Sequence, residues 1–234
     1  MNDYYFIFNG INSKDMGLEI IQFPEIIKPE RNIQTINIPG RSNNLYIDQK
    51  TYNNYTLSIT CCINTLKNKK NIDKITSWLN GFGDLIISQE KDKIYNACIK
   101  NSISISDVIW LFPKFTIIFE VQPLKKSINF KNEYIEINKK TIINNIGTVE
   151  SLPVITIYGA GDVNLKINDN TFVIKNIDEY ITINSDFLEV YKDNVNQNNK
   201  YNNFDFPKLN IGKNIIDFTG NVNKLEIIPN WRWL

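Results

Sequence analysis

Apolar and polar residues alternate with period two over most of this chain, and that pattern predicts strands. From Tyr55 to Ile63, the residues Tyr55, Leu57, Ile59, Cys61 and Ile63 share one face. Thr56, Ser58, Thr60 and Cys62 share the other. Phe115, Ile117, Phe119 and Val121 form a second strand that Pro123 ends. Residues 33–38, 84–88 and 94–99 read as further strands. One segment breaks the pattern. Between Asn71 and Gly81 the residues Ile72, Ile75, Trp78 and Leu79 fall on one helical face. Asn71 is placed to cap the start and Gly81 to take the left-handed turn at the end. A short helix among strands reads as a plug over a sandwich.

The second half repeats the strand pattern with its own turns. Residues 154–158 form a strand that ends at Gly159-Ala160-Gly161. Val163, Leu165 and Ile167 alternate, Asn168-Asp169-Asn170 makes a hairpin turn, and Phe172 and Ile174 return. Residues 180–183, 187–191, 215–218 and 225–228 follow as strands. Turn signals about every ten residues mark an all-β sandwich. The expected class is all-β with one short helix, in two β-sandwich domains. A boundary near residues 123–132 gives domains at 1–125 and 130–234.

Composition narrows the chemistry. The 234 residues include no histidine, which removes the commonest general base and metal ligand. Three cysteines, Cys61, Cys62 and Cys98, are too few for a closed zinc site. Two of them are adjacent and point to opposite faces of a strand, so free thiols are expected. The net charge of +1 lacks the basic surplus of a nucleic-acid binder. Isoleucine and asparagine are frequent, which reads as A/T-rich codon usage. The start, Met1-Asn2-Asp3-Tyr4, has no signal-peptide pattern, and the longest apolar run, Val108 to Phe112, is far too short to span a bilayer. Folding in a cytosol, with no membrane contact, is the expectation.

Four constellations could carry chemistry. Glu90 and Asp92 could act as a carboxylate pair, but they sit between two strands and read as a charged turn, as do Asp178 and Glu179. Asn194 to Asn199, with Asp205, spaces oxygen atoms like a calcium loop, but lacks the sixth-position glycine and the charge. Gly159-Ala160-Gly161 precedes no helix, so it makes no phosphate cradle. Trp231 and Trp233, with Tyr191 and Tyr201 near the Asn-rich loop, could stack on a sugar, although buried packing is the plainer reading. Tyr201 and Trp231 are the candidate sugar contacts. No catalytic, metal or cofactor residue emerges, and no enzyme activity is expected.

An ordered series of short motifs marks the chain. It runs through Phe8-Asn9-Gly10, Ser13-Lys14-Asp15-Met16-Gly17, Pro24, Pro29 and Arg31, and Ile38-Pro39-Gly40-Arg41. Trp78-Leu79-Asn80-Gly81 and Phe115 to Pro123 follow. In the second half come Asn145 to Pro153, Phe206 to Asn214 and Ile227 to Trp233. In this order and spacing the motifs resemble those of the siphophage distal tail proteins, with Asn43 where the family often has glycine. The resemblance implies a structural baseplate component of a phage or prophage. A ring-forming first domain and a galectin-like second domain would build a hexameric hub. The hub would join the tail tube protein to the tail-associated and tape-measure end proteins and the receptor-binding protein, with DNA only passing through its lumen. It implies a place at the virion's tail tip, after synthesis in the host cytoplasm. The segment at about 28–50 reads as the extended arm that grips a neighbour, or else as an ordinary long hairpin within one subunit, with Arg31, Ile36, Ile38, Pro39, Arg41 and Leu45 as the subunit-interface residues of the first reading. The alternative is a carbohydrate-binding module for a cell-wall saccharide. Galectin-type sugar sites use His and Arg, and here no arginine lies between Arg41 and Arg232.

Overall fold

The computed structural model describes residues 4–63, 72–100, 114–128 and 134–234. It is all-β with one short α-helix among the described residues. The chain divides into two compact units, Met1–Lys125 with Leu234, and Lys126–Trp233. No helix among the described residues is long and apolar enough to cross a membrane.

The first unit contains β1 (Phe6–Phe8), β2 (Ile11–Asn12), β3 (Leu18–Gln22), β4 (Arg31–Ile36), β5 (Leu45–Tyr52), β6 (Tyr55–Ile63), α1 (Ile72–Trp78), β7 (Gly81–Ile87), β8 (Lys93–Ile99) and β9 (Lys114–Val121). All but β4 and β5 join one antiparallel sheet in the order β2-β1-β7-β8-β9-β6-β3. β6 has the bounds its alternation predicts, and its odd-numbered residues Leu57, Ile59, Cys61 and Ile63 are buried. Phe115, Ile117, Phe119 and Val121 of β9 face the same core. Phe119 sits edge-on to both Phe6 and Phe8.

The helix closes this core. Ile75, Trp78 and Leu79 are buried in it. Trp78 stacks on Phe6 at 5.6 Å, and its indole N–H donates to the Phe8 carbonyl at 2.8 Å. Ile72, expected on the same face, is exposed, because it opens the first turn and overhangs the buried stripe. Gly81 does take the left-handed conformation, φ +73°. The expected cap Asn71 and the apolar run at 108–112 lie outside the described residues.

The second unit contains β10 (Lys125–Ser127, whose first residue belongs to the first unit), β11 (Ile135–Ile137), β12 (Thr141–Asn145), β13 (Val154–Ile167), β14 (Asn170–Ile177), β15 (Tyr180–Asn184), β16 (Glu189–Lys192), β17 (Val195–Asn196), β18 (Gly212–Ile228) and β19 (Arg232–Trp233). Its sheet follows the path β11-β18-β13-β15-β16-β17, with β12 on β18 and β14 on β13. Two departures from the sequence reading stand out. β13 runs straight through Gly159-Ala160-Gly161, where a turn was expected, and β18 is one strand where two were expected. β13 pairs with β15 in its first half and with β14 in its second. Bulges against β18 at Tyr158/Gly159 and Ala160/Asn164 make the bend between these halves. A Cβ at Gly159 would lie 2.2 Å from the Asn221 carbonyl oxygen, so glycine there permits close approach of two backbones. Phe187 is not in a strand. The Asn184 side chain accepts the N–H groups of Asp186 and Phe187, at 3.1 and 3.3 Å, and holds them in a turn.

All three cysteines are free. Burial, then the neighbouring Cys62, pushes the Cys61 thiol up to about 12. Burial also raises Cys62, whereas Cys98 is only half-buried. An alkylating reagent at pH 8 should therefore modify Cys98 about tenfold or more faster than Cys61 and Cys62, because only thiolate reacts. Peptide mapping of the native protein reads this directly.

Candidate functional site

The feature with the clearest consequence is the hairpin of β4 and β5. These strands form a two-stranded sheet of their own. The sequence folds this way because both strands alternate weakly and the segment between them holds Ile38-Pro39-Gly40-Arg41. The Arg41 N–H closes on the Ile38 carbonyl at 3.1 Å. At the base, Arg31 grips the Asp48 carboxylate through its Nε, at 2.9 and 3.0 Å, and its Nη2, at 2.6 Å. The Arg31 hydrogen bond, then the Lys50 backbone N–H, holds the Asp48 carboxyl below its ordinary value. The guanidinium lies over the Tyr52 ring. Both partners are exposed, so this fork sets register more than it adds stability.

The hairpin carries apolar side chains on both faces. The register pairs Ile36 with Leu45 and Gln34 with Ile47 on one face, and Thr35 with Tyr46 and Ile33 with Asp48 on the other. Ile33 is 47% exposed, Leu45 48%, Tyr46 67% and Ile47 43%. An isolated two-stranded hairpin is marginal in water, and among the described strands β4 and β5 pair only with each other. The structure brings Arg31, Ile36, Ile38, Pro39, Arg41 and Leu45 together on this one element. Ile33, Tyr46 and Ile47 are exposed on the same element and were not among the residues named from the sequence. The consecutive apolar run Leu45-Tyr46-Ile47 was the available signal, since a strand wetted on one face alternates.

The other candidates serve the fold. Glu90 is not a solvent-facing turn carboxylate. It is mostly buried, salt-bridged to Lys93 at 2.9 Å and to the buried Lys125 at 3.2 Å, and it accepts from the Tyr95 hydroxyl. Lys91 and Asp92 are exposed as expected. In the Asn-rich loop, Asn196 caps the N–H of Asn198 at 2.9 Å, and Asn198 takes the Val190 N–H at 2.6 Å, so these oxygens hold the turn. The Tyr201 ring packs against Phe206 at 4.8 Å and Phe172 at 6.4 Å, and its hydroxyl donates to the Asp205 carbonyl at 2.6 Å. Trp231 packs against the second core, and its carbonyl accepts the Ser127 N–H at 3.3 Å. Tyr201 and Trp231 thus spend their rings on their own unit. Arg232 donates to the Glu150 carbonyl, at 3.1 and 2.8 Å. No group of three or more His, Cys, Asp or Glu able to hold a metal exists among the described residues.

Comparison with known proteins agrees with this layout. Residues 1–110 match the family model described as a phage tail protein N-terminal domain. No curated protein sequence matches the chain. Among solved structures, the chain is similar to the Dit protein of phage SPP1, described as a paradigm of the hub adsorption apparatus in phages that infect Gram-positive bacteria. The TM-score is 0.77 at 12% identity, over 99% of each chain. An all-β fold, a hairpin in a sheet of its own and a match to a tail-protein N-terminal domain therefore meet in one polypeptide: residues 1–110 resemble a phage tail protein N-terminal domain, and the whole chain has the fold of the SPP1 Dit protein.

Proposed function

We propose that this protein is a non-enzymatic assembly hub at the tip of a phage tail. Six copies close into a ring, each laying its β4–β5 hairpin on the next. The observation that supports this most is the hairpin itself, which leaves apolar side chains of both faces in water. Exposed strands of that kind are covered in working assemblies or they aggregate. A head-to-tail contact between copies covers every hairpin and leaves none over, which is how rings close.

In this reading the first unit makes the ring, and the second, galectin-like unit carries contacts to receptor-binding and other baseplate proteins. The tail tube protein and the tail-associated and tape-measure end proteins meet the ring. The small net charge of +1 suits a conduit that DNA must pass without being held.

Excising residues 32–48 tests the reading. Native mass spectrometry, alone and with the tail tube protein, should show six copies of the 27.2 kDa chain before excision and monomers after. Rings that persist without the hairpin overturn it. The carbohydrate-binding alternative draws no support from Tyr201 and Trp231, whose rings are packed. Micromolar binding of a cell-wall saccharide in titration calorimetry would revive it.

A further inference from the structure

The tip of the hairpin displays a charge that no described residue answers. Pro39 at the second position of the turn and Gly40 at the third, φ +82°, are what a type II turn requires. That backbone is set before any contact is made, so docking costs little ordering entropy. Pro39, Gly40 and Arg41 are exposed, and the Arg41 guanidinium has no ion-pair partner among the described residues.

The outer face of the β7-β8-β9 sheet has the opposite need. Phe82 opposes Cys98, which opposes Glu120, and Asp84 opposes Asn96 in the next row. These residues and Gln122 line a shallow groove of about 330 Å³. Phe82 is 85% exposed on a sheet whose other face buries nearly every aromatic ring it carries. The polar groups beside it are mostly engaged. Asn96 donates to Gln122 at 3.0 Å, and Glu120 pairs with Lys100 and accepts from Asn54 at 3.3 Å. The Asp84 carboxylate has no partner among the described residues.

We propose that the Pro39-Gly40-Arg41 turn of one copy docks in the Phe82–Asp84 groove of the next. Arg41 forks onto the Asp84 carboxylate with its guanidinium plane against the Phe82 ring, and Pro39 supplies apolar contact beside it. Among the described residues no bond joins the turn to the groove, and both charges stand unpaired. Turn and groove are different surfaces of the same chain, so each copy gives one and receives one, as a closed ring requires. This assignment rests on the ring reading and names the receiving surface that reading leaves open.

The groove holds its own probe, because Cys98 lines it and the other two thiols are buried. In the full chain, Ser42→Cys with copper–phenanthroline as oxidant should give a ladder of covalent dimers and higher species on a denaturing gel. The ladder should vanish when Cys98→Ser is added. In the Ser42→Cys background, Arg41→Asp and Asp84→Arg should each cut the ladder about tenfold, and together restore it to within about threefold, since the swap rebuilds the pair. No ladder, or a ladder indifferent to residues 41 and 84, overturns the groove. The excision of 32–48 separates the two failures. If excision yields monomers while the groove variants do nothing, the hairpin contact stands and its receptor lies elsewhere. If the excised chain still assembles, both readings fall.

Discussion

Glu90→Ala should destabilise the first unit by about 3 kcal/mol, because it strands a buried ammonium. Lys125 is 6% exposed, and its charge is answered by the Glu90 carboxylate at 3.2 and 3.3 Å. The same carboxylate takes the Lys93 ammonium and the Tyr95 hydroxyl. Truncation leaves a buried cation and a buried phenol unsatisfied together. Glu90→Gln should cost less, since an amide oxygen still accepts while the charge is lost.

The pH dependence separates the charge from the packing. Burial alone would raise the Glu90 carboxyl. The hydrogen bonds from Tyr95 and Lys93 and the charge of Lys125 outweigh it and hold the group below its ordinary value. A carboxyl depressed in the folded state adds stability above its unfolded value of about 4.3, and that stability is lost as pH falls through the folded value. Urea melts of the parent should therefore lose midpoint below about pH 4, and Glu90→Gln should lack that part of the slope. Equal slopes in both proteins would show that the carboxylate adds no charge-dependent stability.

Glu90 also shows where sequence reading stops. Its neighbours Lys91 and Asp92 made a charged turn the natural reading, and they are exposed. The residue that makes Glu90 different, Lys125, stands 35 positions away and arrives only through the fold. Alternation, by contrast, is local. It located β6 at Tyr55–Ile63 and β9 to within a residue, because one wetted face imposes period two. It failed at β13 and β18 for a specific reason. Gly159 and Gly220 admit the opposing backbone, with a built Cβ meeting Asn221 oxygen at 2.2 Å and Asp162 oxygen at 2.5 Å. A glycine in that role looks in sequence like a glycine in a turn. The hairpin lay between these cases. Its Pro-Gly tip was legible, while the exposure of Ile33, Tyr46 and Ile47 is a property of the folded chain.

Asn214→Leu should cost the second unit about 3 kcal/mol, although asparagine in this chain is so common that composition gives no reason to single it out. Asn214 is fully buried, and each of its polar atoms is in use. Its Oδ1 accepts the Asn210 N–H at 2.8 Å and the Asn168 side-chain amide at 2.9 Å. Its Nδ2 donates to the carbonyls of Asn210 and Gly212, at 2.8 and 3.0 Å. Asn168 in turn uses its Oδ1 for the Ile215 N–H at 2.9 Å. One side chain thus ties the entry to β18 to the β13–β14 turn. Leucine fills similar volume but answers none of these groups, and unpaired buried polar groups cost about 1–3 kcal/mol each. Hydrogen exchange should show the loss at the amides of Asn210 and Ile215 and along β18, with the β6–β9 amides unchanged. Exchange that rises equally in both units would mean that the two cores unfold as one, and that Asn214 guards more than its own unit.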